Sequence, residues 1–332
     1  MAGETPIPMP HCCQRLTPGT PFARSTRSLW EVSPTRRSIR EQEVVTMFQG
    51  IYVAITTPFD PAFAIDEPRL REHADWLIRQ GVHGLVPTGT CGEYQSLSVD
   101  ERERVIRIIA EVAHGRVPLL VGVAAPTTEQ ALRWARLARE LDAEGIMALP
   151  PIGYRATWNE TVAYYRELSR PGLPIVVYNN PFDTAVDLTP DRLQALSQIP
   201  EVMAVKEFSG DVRRIPEILG ETRLQAIAGA DDLALEGLSA GATGWIAGLT
   251  NIVPQKSLEL YELITTGQSE AAWTLYRQLL PLFRYDSTPR LVQVIKYGLD
   301  KIGRPVGGCR PPRLPLEESE QASVDRALSL AL

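Results

Sequence analysis

The sequence predicts an α/β protein: a closed (β/α)8 TIM barrel followed by a C-terminal helical extension. Three observations carry this reading. Short apolar runs recur through residues 50–254 without strict alternation, the pattern of parallel strands covered on both faces. Helical patterns with capping residues lie between the runs, as crossovers between parallel strands require. Eight such units fit into about 200 residues, which suits a closed ring better than an open doubly wound sheet.

In chain order, strands are expected at 51–55, 84–87, 119–123, 145–149, 175–178, 202–206, 225–228 and 244–247. Helices are expected between them at 67–80, 99–114, 128–141, 158–170, 190–198, 212–219 and 233–240, with Ser98 and Thr189 placed as N-caps. Beyond residue 254 the strand pattern stops, and helical stretches follow at 255–266, 270–283, 291–302 and 317–330. The expected organisation is therefore a barrel over 49–254 and a helical bundle over 255–332.

Residues 1–48 differ from the rest. They contain six arginines and four glutamates, no Lys or Asp, and no sustained period, so disorder is expected there. An arginine-rich start is also the composition of a transit peptide, but Glu31, Glu41, Glu43 and the prolines weigh against one. With Met47 just ahead of the first strand, the segment reads as an extension that the folded domain does not need.

Composition narrows the function. A net charge of -6 and a pI near 5.4 provide no basic face for nucleic acid or an anionic membrane. No apolar run approaches the ~20 residues of a membrane span. Cys12, Cys13, Cys91 and Cys309 form neither a disulfide framework nor a metal motif, so a cytoplasmic setting is expected. His11, His73, His83 and His114 are scattered, and no GxGxxG or P-loop follows a strand, so no metal or nucleotide cofactor is expected.

The chemistry concentrates at the strand ends, where barrels of this kind place their active sites. Only four of the 34 basic residues are lysines, and one of them, Lys206, closes the apolar run 202–206. A lysine at the mouth of a buried strand is expected to lose its proton through desolvation and so to become a nucleophile toward carbonyls. Arginine cannot take that role. Tyr178 ends the preceding strand and can move a proton at a bound substrate. The loop Gly89-Thr90-Cys91-Gly92 can offer backbone N–H groups to a carboxylate.

In Gly89-Thr-Cys-Gly-Glu93, Tyr178-Asn-Asn-Pro181, Val205-Lys-Glu207, Gly229-Ala-Asp-Asp232 and Gly241-Ala-Thr-Gly-Trp-Ile-Ala-Gly248, residues 50–316 resemble the dihydrodipicolinate synthase / N-acetylneuraminate lyase family of lysine-dependent lyases. The resemblance implies a homotetramer or dimer in which Lys206 forms an imine with C2 of a 2-oxo acid, with no separate cofactor. It also implies Tyr178 as the proton-transfer residue, and Gly89, Thr90 and Cys91 as the carboxylate-holding loop. Gly229 and Ile246 match pocket-lining positions. There are departures from the family pattern. Asp183 stands where the synthases carry an arginine for the second substrate's carboxylate, Cys91 replaces the second hydroxyl of a Thr-Thr pair, and Tyr154 is displaced from the family's intersubunit tyrosine. The stretches 186–190, 211–214, 291–293 and 310–316 resemble the branch that includes 1-pyrroline-4-hydroxy-2-carboxylate deaminases. The expected reaction is thus ring opening of a pyrroline carboxylate with loss of water and ammonia. The alternatives are a pyruvate-dependent aldolase acting on 4-hydroxy-2-oxoglutarate and 4-hydroxy-tetrahydrodipicolinate synthase.

Overall fold

Eight short apolar segments become strands because each is flanked by a helix that covers its outer side. In the computed structural model, which describes residues 47–332, these are β1 (Gly50–Ala54), β2 (Gly84–Val86), β3 (Leu120–Gly122), β4 (Gly145–Ala148), β5 (Ile175–Asn179), β6 (Val202–Glu207), β7 (Gln225–Ala228) and β8 (Gly244–Ala247). All pair in parallel in the order β2-β1-β8-β7-β6-β5-β4-β3. A parallel bridge between Leu85 and Leu119 joins the two ends. The Leu85 N–H donates to Pro118 O at 3.1 Å and the Gly122 N–H to Pro87 O at 3.1 Å, completing the expected (β/α)8 ring.

Around it run α1 (Glu67–Arg79), α2 (Val99–Ala113), α3 (Thr128–Glu140), α4 (Trp158–Leu168), the short α5 (Pro181–Thr184), α6 (Pro190–Leu196), α7 (Arg214–Glu221), α8 (Ala234–Ser239) and α9 (Pro254–Thr265). Side chains alternate across each strand. Ile51, Val53, Ile175, Val177 and Val205 face the helices, whereas Tyr52, Val176, Tyr178, Ala204, Ile227 and Ile246 fill the barrel interior. Phe48 belongs to that inner core, edge-on to Tyr52 at 6.2 Å, and its N–H donates to Gln225 Oε1 at 3.4 Å. The folded unit therefore takes in Met47, whose N–H also donates to Gln225 Oε1 at 3.2 Å, and Phe48, while the disorder expected over 1–46 lies outside the described residues.

Ser98 caps α2 in a reciprocal box with Glu101, as its spacing implies. Thr189 does not cap α6 through its side chain, because its hydroxyl is bonded to Asp191 instead. The helix expected at 212–219 is displaced to Arg214–Glu221, since Asp211 and Val212 are used in the turn leading into it.

The tail continues as α10 (Ser269–Phe283), α11 (Leu291–Lys301) and α12 (Glu318–Ala331). Thr46–Leu332 is one compact unit, and α9 packs on α8 and β1 as the ring's eighth helix. The tail is anchored by Trp245 of β8, which is fully buried and edge-on to Phe283 at 5.4 Å. Truncating such an aromatic to alanine costs about 3–5 kcal/mol. This contact also sets the position of the 3-10 turn Arg284–Ser287, which follows α10 and overhangs the barrel mouth.

Candidate active site

The site follows from strand register. β5 and β6 pair Tyr178 directly opposite Lys206, two residues on from the inward-facing Val176 and Ala204, so both side chains point into the barrel. Lys206 Nζ lies 4.2 Å from the centroid of the Tyr178 ring and 5.6 Å from that of Phe208. Both open onto a cavity of about 890 Å³ at the C-terminal ends of the strands, a size suited to a small organic ligand. Gly229 lets the lysine stem pass. A Cβ there would meet Glu207 O at 2.4 Å and Lys206 Cγ at 3.1 Å.

The loop after β2 forms one wall, to which Gly89, Thr90 and Cys91 all contribute. Thr88 and Glu93, at φ 55° and 54°, turn the chain sharply at either end of it. Within the loop the Gly92 and Glu93 amides donate to Gly89 O and Thr90 O, whereas those of Thr90 and Cys91 have no acceptor among the described residues. Those two N–H groups are the part of the loop able to receive a carboxylate. Asp183, in α5, is on the opposite wall and accepts a hydrogen bond from Asn180 Nδ2 at 2.9 Å. Asn180 Nδ2 also donates to the Tyr178 hydroxyl at 3.3 Å.

Gly229 and Ile246 are not brought to the wall. Gly229 packs behind Lys206, and Ile246 lies in the inner core beneath it. Tyr154 is exposed and faces a different depression, beside Ala125 and Thr127.

Electrostatically the site is a cluster of buried acids around one base. Burial pushes the Tyr178 hydroxyl up, with Lys206 opposing, and burial likewise raises the Cys91 thiol. Burial lifts Asp231 to about 6, although Leu249 N–H (2.6 Å) and Trp245 Nε1–H (2.8 Å) both donate to it. Asp286 is pushed well above the ordinary carboxylate range by burial and then by Asp231. The expectation that desolvation leaves Lys206 with a lowered pKa is corrected here. Burial alone acts in that direction, but Coulomb interaction with the surrounding acids Tyr178, Asp286, Cys91 and Asp231 outweighs it and raises the amine. The resting amine is therefore protonated and has to give up a proton to a neighbour before it can attack a carbonyl.

Sequence reasoning missed three contributions from the tail. Asp286 and Arg313 reach the cavity wall, and Arg313 joins Lys206 as the only cations there among the described residues. Lys296 of α11 is buried against Glu93 at 2.7 Å, which ties the loop after β2 to the tail. A lysine inside the apolar run of α11, in a chain that uses so few, was the available signal for Lys296. Nothing local marked Asp286, and Arg313 stood out only as an arginine between prolines, which suggests a pin for the tail rather than a cavity wall. Among the described residues no group of three or more His, Cys, Asp or Glu side chains could hold a metal ion, and no helix is long and apolar enough to cross a membrane.

A buried lysine at the end of a (β/α)8 strand, with a tyrosine opposite it in register, defines a Schiff-base-forming lyase. The chain belongs to the dihydrodipicolinate synthetase family, whose model matches residues 47–331. It is 35% identical over 288 residues to the 4-hydroxy-tetrahydrodipicolinate synthase of Methanospirillum hungatei, covering 84% of this chain and 97% of that one. It is 30% identical to the synthase of Methanocaldococcus jannaschii, over 85% and 98% of the two chains. Among solved structures, a putative dihydrodipicolinate synthetase from Pseudomonas aeruginosa superposes with a TM-score of 0.82 at 32% identity, covering 86% of this chain and all of that one. A prophage protein of the dihydrodipicolinic acid synthase family from E. coli K12, in complex with pyruvate, superposes with a TM-score of 0.81 at 26% identity, covering 86% and 98%.

Proposed function

We propose that the chain acts on a 2-oxo acid or its cyclic imine through a covalent imine on Lys206, with no separate cofactor. The observation that carries this is the registered pair on β5 and β6, with Lys206 Nζ 4.2 Å from the Tyr178 ring inside the cavity. Lys206 attacks C2, Tyr178 moves protons between the adduct and the leaving or entering group, and Thr90 with the free amides of Thr90 and Cys91 holds the carboxylate. Pyruvate in the E. coli relative supports a substrate of that kind.

Two completions of the reaction have separate support. The names of the curated relatives favour condensation of the pyruvate imine with an aldehyde acid, as in 4-hydroxy-tetrahydrodipicolinate synthase. Asp183 on the cavity wall favours the other, because a carboxylate there repels an aldehyde acid. In that reading the substrate is 1-pyrroline-4-hydroxy-2-carboxylate, opened on Lys206, dehydrated at C4 and then hydrolysed with release of ammonia. Intact-mass spectrometry after borohydride treatment, with the adduct mapped by peptide, tests the shared step and separates the two. An adduct on Lys206 with the pyrroline compound and ammonia release assigns the deaminase. An adduct with pyruvate alone, turning over with the aldehyde acid, assigns the synthase. No adduct with either sinks the reading. Assembly as a homotetramer or dimer belongs to the same proposal and is read by light scattering.

A further inference from the structure

In the barrel, the Asp231 carboxylate already accepts from Trp245 Nε1–H and the Gly248 and Leu249 N–H groups, which leaves it poorly placed to take the proton that Lys206 must lose. The tail supplies another acceptor. Asp286 sits in the 3-10 turn between α10 and α11, is only 8% exposed, and borders the same cavity as Lys206, Tyr178 and Cys91. Its Oδ2 accepts the Asp231 N–H at 2.8 Å, whereas its Oδ1 has no hydrogen-bond partner among the described residues. A Cβ on Gly248 would lie 3.2 Å from that Oδ1 and 3.4 Å from Cys91 Sγ, so the free oxygen and the thiol converge over a position that only glycine leaves open.

The geometry points to Asp286 as the acid–base residue of imine formation: the two groups border one cavity without a direct ion pair, so Asp286 takes the Lys206 ammonium proton through a water of the cavity and returns it to the hydroxyl that leaves C2. The step balances. The neutral amine forms the N–C2 bond, a proton passes from nitrogen to the carbonyl oxygen, and Asp286 protonates the resulting hydroxyl. The C2–O bond then breaks and releases water, the nitrogen keeps one proton as the iminium, and Asp286 ends as the carboxylate from which it started. A carboxyl lifted by burial suits this task, because lifting it narrows the gap over which a proton moves between it and an ammonium. The charges acting on Asp286 are Asp231, Lys206 and Asp232, and it acts in turn on Tyr178 and Cys91.

The test builds on the proposed imine and uses the full chain with pyruvate, quenched at intervals with borohydride. Wild-type trapping should vary little across the neutral range. D286N, which keeps the acceptor for the Asp231 amide, should trap about 10²-fold more slowly at neutral pH. Without an internal acceptor its rate should also climb about tenfold per pH unit toward alkali, and D286E should restore part of the flat profile. Uniform slowing of D286N with an unchanged profile would show a structural role and overturn the inference, as would trapping at the wild-type rate. If D286N fails to fold, the wild-type profile decides alone, since a rate that rises with the ordinary lysine titration overturns the proposal. No adduct in the wild type would instead defeat the imine reading itself and this inference with it.

Discussion

Lys206 and Lys296 are both buried, 7% and 4% exposed, yet their surroundings shift their pKa values in opposite directions. The Lys296 ammonium is 2.7 Å from Glu93 Oε1, donates to Gly308 O at 2.9 Å and lies 4.2 Å from the Phe59 ring centroid. Burial lowers its pKa, and Glu93 only partly opposes this. Lys206 has no hydrogen-bond partner among the described residues and faces a cavity, and the acids around it raise its pKa against the pull of burial. Burial alone therefore does not identify a reactive lysine. The distinguishing features are unused donors, space in front of the nitrogen, and acids that border the same cavity without pairing with it.

The comparison breaks most readily at turnover. Lys206→Met should reduce activity to background and abolish borohydride trapping while costing about 1.5 kcal/mol or less in stability, as a volume-conserving swap does. A large fall in the denaturation midpoint would make Lys206 structural. Tyr178→Phe comes next, with turnover expected to fall about 10²–10⁴-fold because a proton-transfer group is lost while the ring against the amine remains. Unchanged kcat in that variant would remove Tyr178 from the chemistry. Lys296→Met should behave in the opposite way to Lys206→Met. It leaves Glu93 buried and uncompensated and should cost about 3–5 kcal/mol in urea denaturation, with trapping by the surviving folded protein retained. Pairing it with Glu93→Gln should recover much of that loss.

The asymmetry between the two lysines also marks how far the sequence could be read. Strands β5 and β6 were legible because parallel strands buried on both faces leave continuous apolar runs, and Lys206 was visible as the polar end of one of them. The loop after β2 was legible as a loop from its glycines and hydroxyl, but its two left-handed residues, Thr88 and Glu93, are not glycines and were not marked. The charge state of Lys206 was not legible, because it depends on Asp231 and Asp286, which come from other elements. Local desolvation alone gave the opposite sign. The partnership of Glu93 with Lys296 and the arrival of Asp286 and Arg313 at the mouth depend on how the tail packs, fixed by contacts such as Trp245 on Phe283. Thr189 failed as a cap for a nearer reason: an aspartate two residues on competes for its hydroxyl.

The smallest expected effect is also the sharpest test of the two opposite shifts. Lys296 has its folded-state pKa below the ordinary 10.5, so the unfolded chain binds more protons between those values. Its contribution to stability should grow as pH rises through its folded pKa toward 10.5, and shrink as pH falls. Lys206 has its folded-state pKa above 10.5, so its contribution is fully present below that value and is lost as pH rises through the folded pKa. The stability difference between wild type and Lys296→Met, followed by urea titration at increasing alkalinity, should therefore widen up to about pH 10.5. The difference between wild type and Lys206→Met should hold level and then narrow beyond it. Neither slope can exceed about 1.4 kcal/mol per pH unit for a single proton. Parallel slopes in the two series would mean that both lysines are simply desolvated, and the acids around Lys206 would then no longer account for its charge.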